Sequence, residues 1–165
     1  MLRTFISLLL VLVTGCASID YSGKGPDLSL KGSPEANSEY AKFKLTKSSF
    51  GYDQFRAVKM GEETHYTLNS LKPVIADVSP SALEGFHKAR VLNTVGLSLL
   101  GAAIVFLFTQ DWPVKDTAAV VYYGTLIGSV GVNIWAGHVR SEAIDQYNSD
   151  LRTKLSPGMK VGFQF

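Results

Sequence analysis

The chain has 165 residues, 46% of them apolar and 18% charged, with 16 Lys and Arg against 14 Asp and Glu for a formal charge of +2. That length suits one domain with one core. The near-balanced charge gives no electrostatic ground for a nucleic-acid partner, and a lone cysteine excludes an internal disulfide framework.

The first sixteen residues carry an address. Arg3 supplies a short positive start, Phe5 to Val13 is an apolar run too short to span a bilayer, and Val13-Thr14-Gly15-Cys16 follows. This is the layout of an export signal over residues 1–15, with small residues that let the chain lie extended in a peptidase groove. Cys16 is the only side chain there able to carry a thioether-linked lipid. The stretch resembles the lipobox of bacterial lipoproteins: a small apolar residue, a small residue, Gly or Ala, then Cys. The resemblance covers only the signal and cut site. It implies a lipid on Cys16 and attachment to the cell envelope, and no other cofactor is expected.

Residues 16–39 are rich in Gly, Ser, Pro and charge, as in Ser22-Gly23-Lys24-Gly25-Pro26 and Lys31-Gly32-Ser33-Pro34. Little apolar surface offsets their ordering entropy, so a flexible tether is expected. Residues 40–78 read as a β-rich segment. Ala41, Phe43 and Leu45 alternate with Lys42, Lys44 and Thr46, and runs from Gln54 to Met60 and Thr64 to Leu68 flank a turn at Gly61-Glu62-Glu63. Pro73 excludes a fully laddered central strand around residues 72–75.

At Ser79 the periodicity changes. Ser79-Pro80 reads as a cap with Pro at the first helical position, and Ser81 with Glu84 offers an alternative capping box. A helix to about Phe108 is expected, broken by Gln110-Asp111-Trp112-Pro113, then a second helix capped at Asp116 or Thr117. Its last part places Val139, Ala143, Ile144, Tyr147, Leu151 and Leu155 on one stripe. Ser156-Pro157-Gly158 stops it. Residues 156–165 end in alternation (Val161, Phe163, Phe165), a strand expected to join the early sheet.

The expected fold is α+β: a long antiparallel helical hairpin over 79–155 with a small antiparallel sheet of N-terminal strands and the C-terminal strand. Its middle, 91–137, holds two uncharged blocks, each roughly 27 to 30 Å long, which matches a hydrocarbon core and predicts membrane insertion. A tip between Trp112 and Pro113 places Gly101 opposite Gly124, Ser98 near Gly128, Gly96 near Ser129, and Asn93 beside Asn133. Small residues facing one another permit close approach, and two Asn amides can exchange hydrogen bonds. Trp112 and Trp135 fall at the ends of the blocks, where interfacial Trp is favoured.

Lys88, Arg90 and Arg140 lie at the base of the hairpin, on the same side of the membrane as Cys16. In an inner membrane that positive end would face outward, against the usual bias, so the periplasmic face of the outer membrane is expected. The resemblance to bacterial lipoproteins implies the same, since Cys16 is followed by Ala17 and not by the Asp that retains enterobacterial members of that class in the inner membrane. The architecture resembles the glycine-zipper two-helix lipoproteins of outer membranes, although the dense four-residue glycine repeat of that class is missing here.

No catalytic or metal motif stands out. His65 lies in an expected strand, and His87 and His138 sit among cations at the hairpin base, poor company for a metal. Glu62 and Glu63 belong to a turn, and Glu142, Asp145 and Asp150 to the polar side of a helix. A non-enzymatic envelope lipoprotein is expected, with membrane lipid and a protein partner or a second copy of itself as contacts. The alternative is a lipid-tethered soluble periplasmic module for an apolar ligand or a partner protein.

Overall fold

The computed structural model describes residues 20–47, 57–61, 64–109 and 116–156. Cys16, Glu62, Glu63, Trp112 and the expected C-terminal strand lie outside them. The described chain is mostly helical with one small sheet. In order it runs through a 3-10 turn (Leu28–Leu30), α1 (Ala36–Phe43), β1 (Leu45–Lys47), β2 (Ala57–Met60), β3 (Thr64–Thr67), α2 (Leu68–Val78), α3 (Pro80–Thr109) and α4 (Asp116–Leu155).

The sheet is antiparallel in the order β1-β2-β3, with Leu45 opposite Met60 and Lys59 opposite His65. Gly61 leaves β2 with φ +68, and a Cβ there would lie 2.9 Å from the Lys42 carbonyl oxygen. Both constraints call for glycine.

Two expectations for the N-terminal third are corrected. Ala41 to Phe43, expected in a strand that continues through Leu45, instead end a helix that begins at Ala36, and only Leu45–Lys47 are strand. Ala36, Tyr40 and Phe43 share a helical face against the core, and that spacing prevails over the short alternation of Ala41, Phe43 and Leu45. The segment expected to be a flexible tether is also folded from Asp20 onward. Asp27 accepts from Ser29 N, Glu39 Oε1 accepts from Asp27 N at 2.9 Å, and Gly32 N donates to the Leu155 carbonyl at 2.8 Å. Thr67 donates to Asp20, and the Tyr21 ring stands edge-on to Tyr66. Its Gly, Ser and Pro build turns between a few apolar contacts, so low average hydrophobicity is a poor guide to order here.

Residues 68–78 are likewise helical. Thr67 caps α2 by accepting from Ser70 N. Pro73 removes one helical donor from the exposed side, while Leu71, Val74, Ile75 and Val78 bury the opposite stripe. That burial outweighs a proline penalty of about 3 kcal/mol.

The α3 start follows the sequence expectation. Ser79 Oγ accepts from Ala82 N at 3.2 Å with Pro80 in the first turn, and the same hydroxyl donates to Asp150 on α4. All six residues of the expected α4 stripe are buried, with Tyr147, Leu151 and Leu155 at 0% exposure. Except for Val139, they pack with α1, α2, Val58 and the first turns of α3 into one core at one end of the long helices.

Asn148 fastens the sheet to α4. Its side chain accepts from Leu45 N and donates to Leu45 O, both at 2.8 Å, occupying the β1 backbone as a strand would. Asn148→Ala strands both groups beside a buried residue. It should lower the stability of this core, the head of the molecule, by about 2 kcal/mol in denaturant unfolding monitored by circular dichroism.

Burial pushes the Tyr147 hydroxyl above its ordinary value, with Tyr21 and Asp77 adding to the shift. The neutral phenol is the form the fold accommodates. This contribution is complete below the unfolded value of about 10 and is lost as pH rises towards the raised folded one. The buried hydroxyl makes no hydrogen bond, so Tyr147→Phe should leave stability at neutral pH intact and flatten its alkaline decline in thermal melts taken from pH 8 to about 11.

Candidate functional site on the helix pair

α3 and α4 run side by side in opposite directions, as three contacts establish: Ser79 with Asp150, Gly85 against Ala143, and Gly96 against Ser129 and Asn133. The seam is lined by small residues spaced by seven. On α3 these are Ala82, Ala89, Gly96 and Ala103; on α4 they are Ser129, Ala136 and Ala143, and all are buried. A seven-residue repeat keeps one stripe facing a partner helix along its whole length. With no side chain longer than a hydroxymethyl group at these positions, the backbones come close.

How close is measured at the glycines. A Cβ on Gly85 would stand 2.9 Å from the Ala143 Cβ, and one on Gly96 would stand 2.6 Å from Asn133 Nδ2. Ser129 Oγ donates across the seam to the Gly96 carbonyl at 2.8 Å. Gly96 and Ser129 are therefore brought together.

Other expected pairs are arranged differently. Asn133 Nδ2 donates to Ser129 O on its own helix and its Oδ1 makes no hydrogen bond, so the amide exchange with Asn93 is not formed, although Asn93 is buried. Ser98 donates to the Thr94 carbonyl on its own helix. Gly101, Gly124 and Gly128 have open space where a side chain would stand. The seam follows Ala82-Ala89-Gly96-Ala103 and leaves Gly124 and Gly128 outside it. A seven-residue periodicity of Ala, Gly and Ser carries that information in the sequence, and Gly85 lies outside the apolar blocks.

The outer surface of the pair is apolar. The large hydrophobic side chains exposed among the described residues all fall between Val91 and Trp135, and Val120, Ile127 and Ile134 are about 70% exposed. Hydroxyls in this region turn to backbone: Thr94 to Arg90 O, Thr109 to Phe106 O, Thr125 to Val121 O. They satisfy their donors without water. Asn93 and Ser129 are buried while large hydrophobic side chains face away, the reverse of a soluble helical pair.

Charge returns where the apolar surface ends, on the side of the folded core. Lys88 Nζ lies 6.0 Å from the centre of the half-exposed Trp135 ring, and Arg90 Nη1 donates to Asn69 at 2.9 Å. His138 meets Glu142 at 3.2 Å, Arg140 is buried, and His87, Asp145 and His65 are exposed. Among the described residues no group of three or more His, Cys, Asp or Glu is placed to hold a metal. Asp150 is committed to Ser79 and Gln146. Two helices are long and apolar enough to cross a membrane by length and composition. No family model, curated protein or solved structure matches the chain.

The contrast between tight and open glycines gives a direct test. Gly96→Ala should destabilise the helix pair, and adding Asn133→Ala should restore much of the loss. Gly124→Ala should instead be neutral or stabilising by up to about 1 kcal/mol through helix propensity. Unfolding of the three variants in detergent micelles measures this.

Proposed function

We propose that this chain is a non-enzymatic lipoprotein of the bacterial envelope, held by an acyl group on Cys16 and by a membrane-inserted hairpin of α3 and α4. The observation that carries this reading is the inverted polarity between residues 91 and 135. Among the described residues twelve large apolar side chains are exposed there. Even at half the usual transfer value, their removal from water is favourable by on the order of 10 kcal/mol, comparable with the net stability of a whole domain. A lipid-tethered soluble module with its helices hidden in a protein core would bury these side chains, so their exposure opposes that alternative.

Length supports the same reading. The apolar stretches of α3 from Val91 and α4 to Gly137 extend roughly 30 Å at 1.5 Å per residue, a hydrocarbon thickness. Hydroxyls bonded to their own helices and an Asn-containing seam facing inward suit a medium that offers no hydrogen bonds.

The two anchors also converge. Cys16 precedes Asp20 by four residues, a reach of at most about 14 Å. Asp20 bonds to Thr67, the cap of α2, whose Asn69 bonds in turn to Arg90 at the end of the apolar surface. A lipid on Cys16 and the base of the hairpin therefore enter the same leaflet. The periplasmic face of the outer membrane fits best, since it avoids an outward-facing positive end in the inner membrane. The folded head then lies against that leaflet and offers the polar side of α4, including Glu142 and Asp145, to a protein partner or a second copy.

The anchor is tested by removing the lipid. A Cys16→Ser variant exported through a cleavable signal should stay with the membrane pellet through an alkaline carbonate wash. Release into the supernatant would mean that the helices do not hold the protein in the bilayer.

A further inference from the structure

We propose that the basic collar at the head end of the helix pair binds the phosphates of anionic glycerophospholipids, giving the protein a lipid preference in addition to an anchor. The proposal rests on the membrane reading above and names the lipid class that would surround its base.

Position supports it first. The outward apolar surface stops at Val91 on α3 and at Ile134 and Trp135 on α4. Within the next turn towards the core come Arg90, Lys88 and His87 on one helix and His138 on the other, all exposed. If the apolar surface sits in acyl chains, these groups stand at the depth of the phosphates. Lys and Arg are suited to that boundary because their stems lie along apolar surface while their heads reach the polar layer.

Charge supports it second. Between Gly85 and Ser141 the sequence holds acids only at Asp111 and Asp116, far along the chain from the collar on either helix. The nearest acid on the core side of α4 is Glu142, which engages His138, and on α3 it is Glu84. Among the described residues neither Lys88 nor Arg90 forms an ion pair, although Glu84 lies one turn from Lys88 and Asp20 is joined to the Arg90 side through Thr67 and Asn69. A phosphodiester is the counter-charge that a bilayer supplies there.

Geometry supports it third. Lys88 stands over the Trp135 ring and Arg90 is steadied by Asn69, so neither cation is an untethered side chain. The indole and ammonium together present an apolar plate with a charge at its rim, matching an acyl–headgroup boundary. Asn69 follows Thr67 by two residues, and Thr67 ties to Asp20, so the collar lies beside the approach of the lipid-bearing end of the chain.

The test uses the full mature chain with Cys16→Ser, and Trp112→Phe so that Trp135 is the sole indole. It is reconstituted in vesicles of equimolar phosphatidylcholine and phosphatidylglycerol, with one or the other brominated on its acyl chains. Brominated phosphatidylglycerol should quench Trp135 about two- to fivefold more effectively than brominated phosphatidylcholine. High salt should reduce the preference, and Lys88→Gln with Arg90→Gln should remove it, whereas Lys154→Gln, away from the collar, should not. Equal quenching by the two lipids overturns the collar and leaves insertion standing. A preference that survives the double substitution also overturns it. Absence of quenching by either lipid overturns the membrane reading itself.

Discussion

The close approach of α3 and α4 is the constraint on which the rest of the molecule depends. Dispersion falls steeply with separation, so two helices without large interlocking side chains adhere only when their backbones nearly touch. Ala82, Ala89, Gly96 and Ala103 on one helix, with Ser129, Ala136 and Ala143 on the other, provide that access. The seam then admits a hydroxyl-to-carbonyl bond, Ser129 to Gly96, directly between the helices. A Cβ at Gly96 would already stand 2.6 Å from Asn133 Nδ2, so a larger residue there would push the pair apart.

The same pair organises the head. Below the apolar surface the seam becomes an ordinary core: α4 contributes Ala143, Ile144, Tyr147, Leu151 and Leu155, and the short elements assemble around them. β1 is tied by Asn148, the 3-10 region by the Leu155 carbonyl, and α3 by the Ser79 to Asp150 bond. A sheet with strands of three or four residues has little independent stability. Its persistence follows from α4 acting as a scaffold. One continuous helix therefore turns its large apolar residues inward at one end and outward at the other. The transition occurs over about two turns, between Ile134 and Ala143, and it is there that Trp135, His138 and the buried Arg140 cluster.

Much of this was legible along the chain because it is written in local periodicity. The cap at Ser79, the β2–β3 hairpin, the extents of the two long helices and the buried stripe from Val139 to Leu155 depend on neighbours within a few residues. The errors have a common cause. Residues 20–43 and 68–78 owe their conformation to contacts far along the sequence, such as Gly32 with Leu155 and Asp77 with Lys154. Neither composition nor Pro73 registers a partner so many residues away.

Sequence alone determined where the long helices begin, that residues 91–108 and 117–137 carry no charge, and that the one cysteine follows a short apolar run. Tertiary structure decided which face of each helix meets its partner. Gly96 and Ser129 lie together while Gly101, Gly124 and Gly128 stand in the open, because helix rotation is fixed by packing over the whole seam and the head core, not by any single motif. That rotation turns the small residues inward and the large apolar ones outward. The outward apolar surface is thus a property of two helices in contact and of neither one separately.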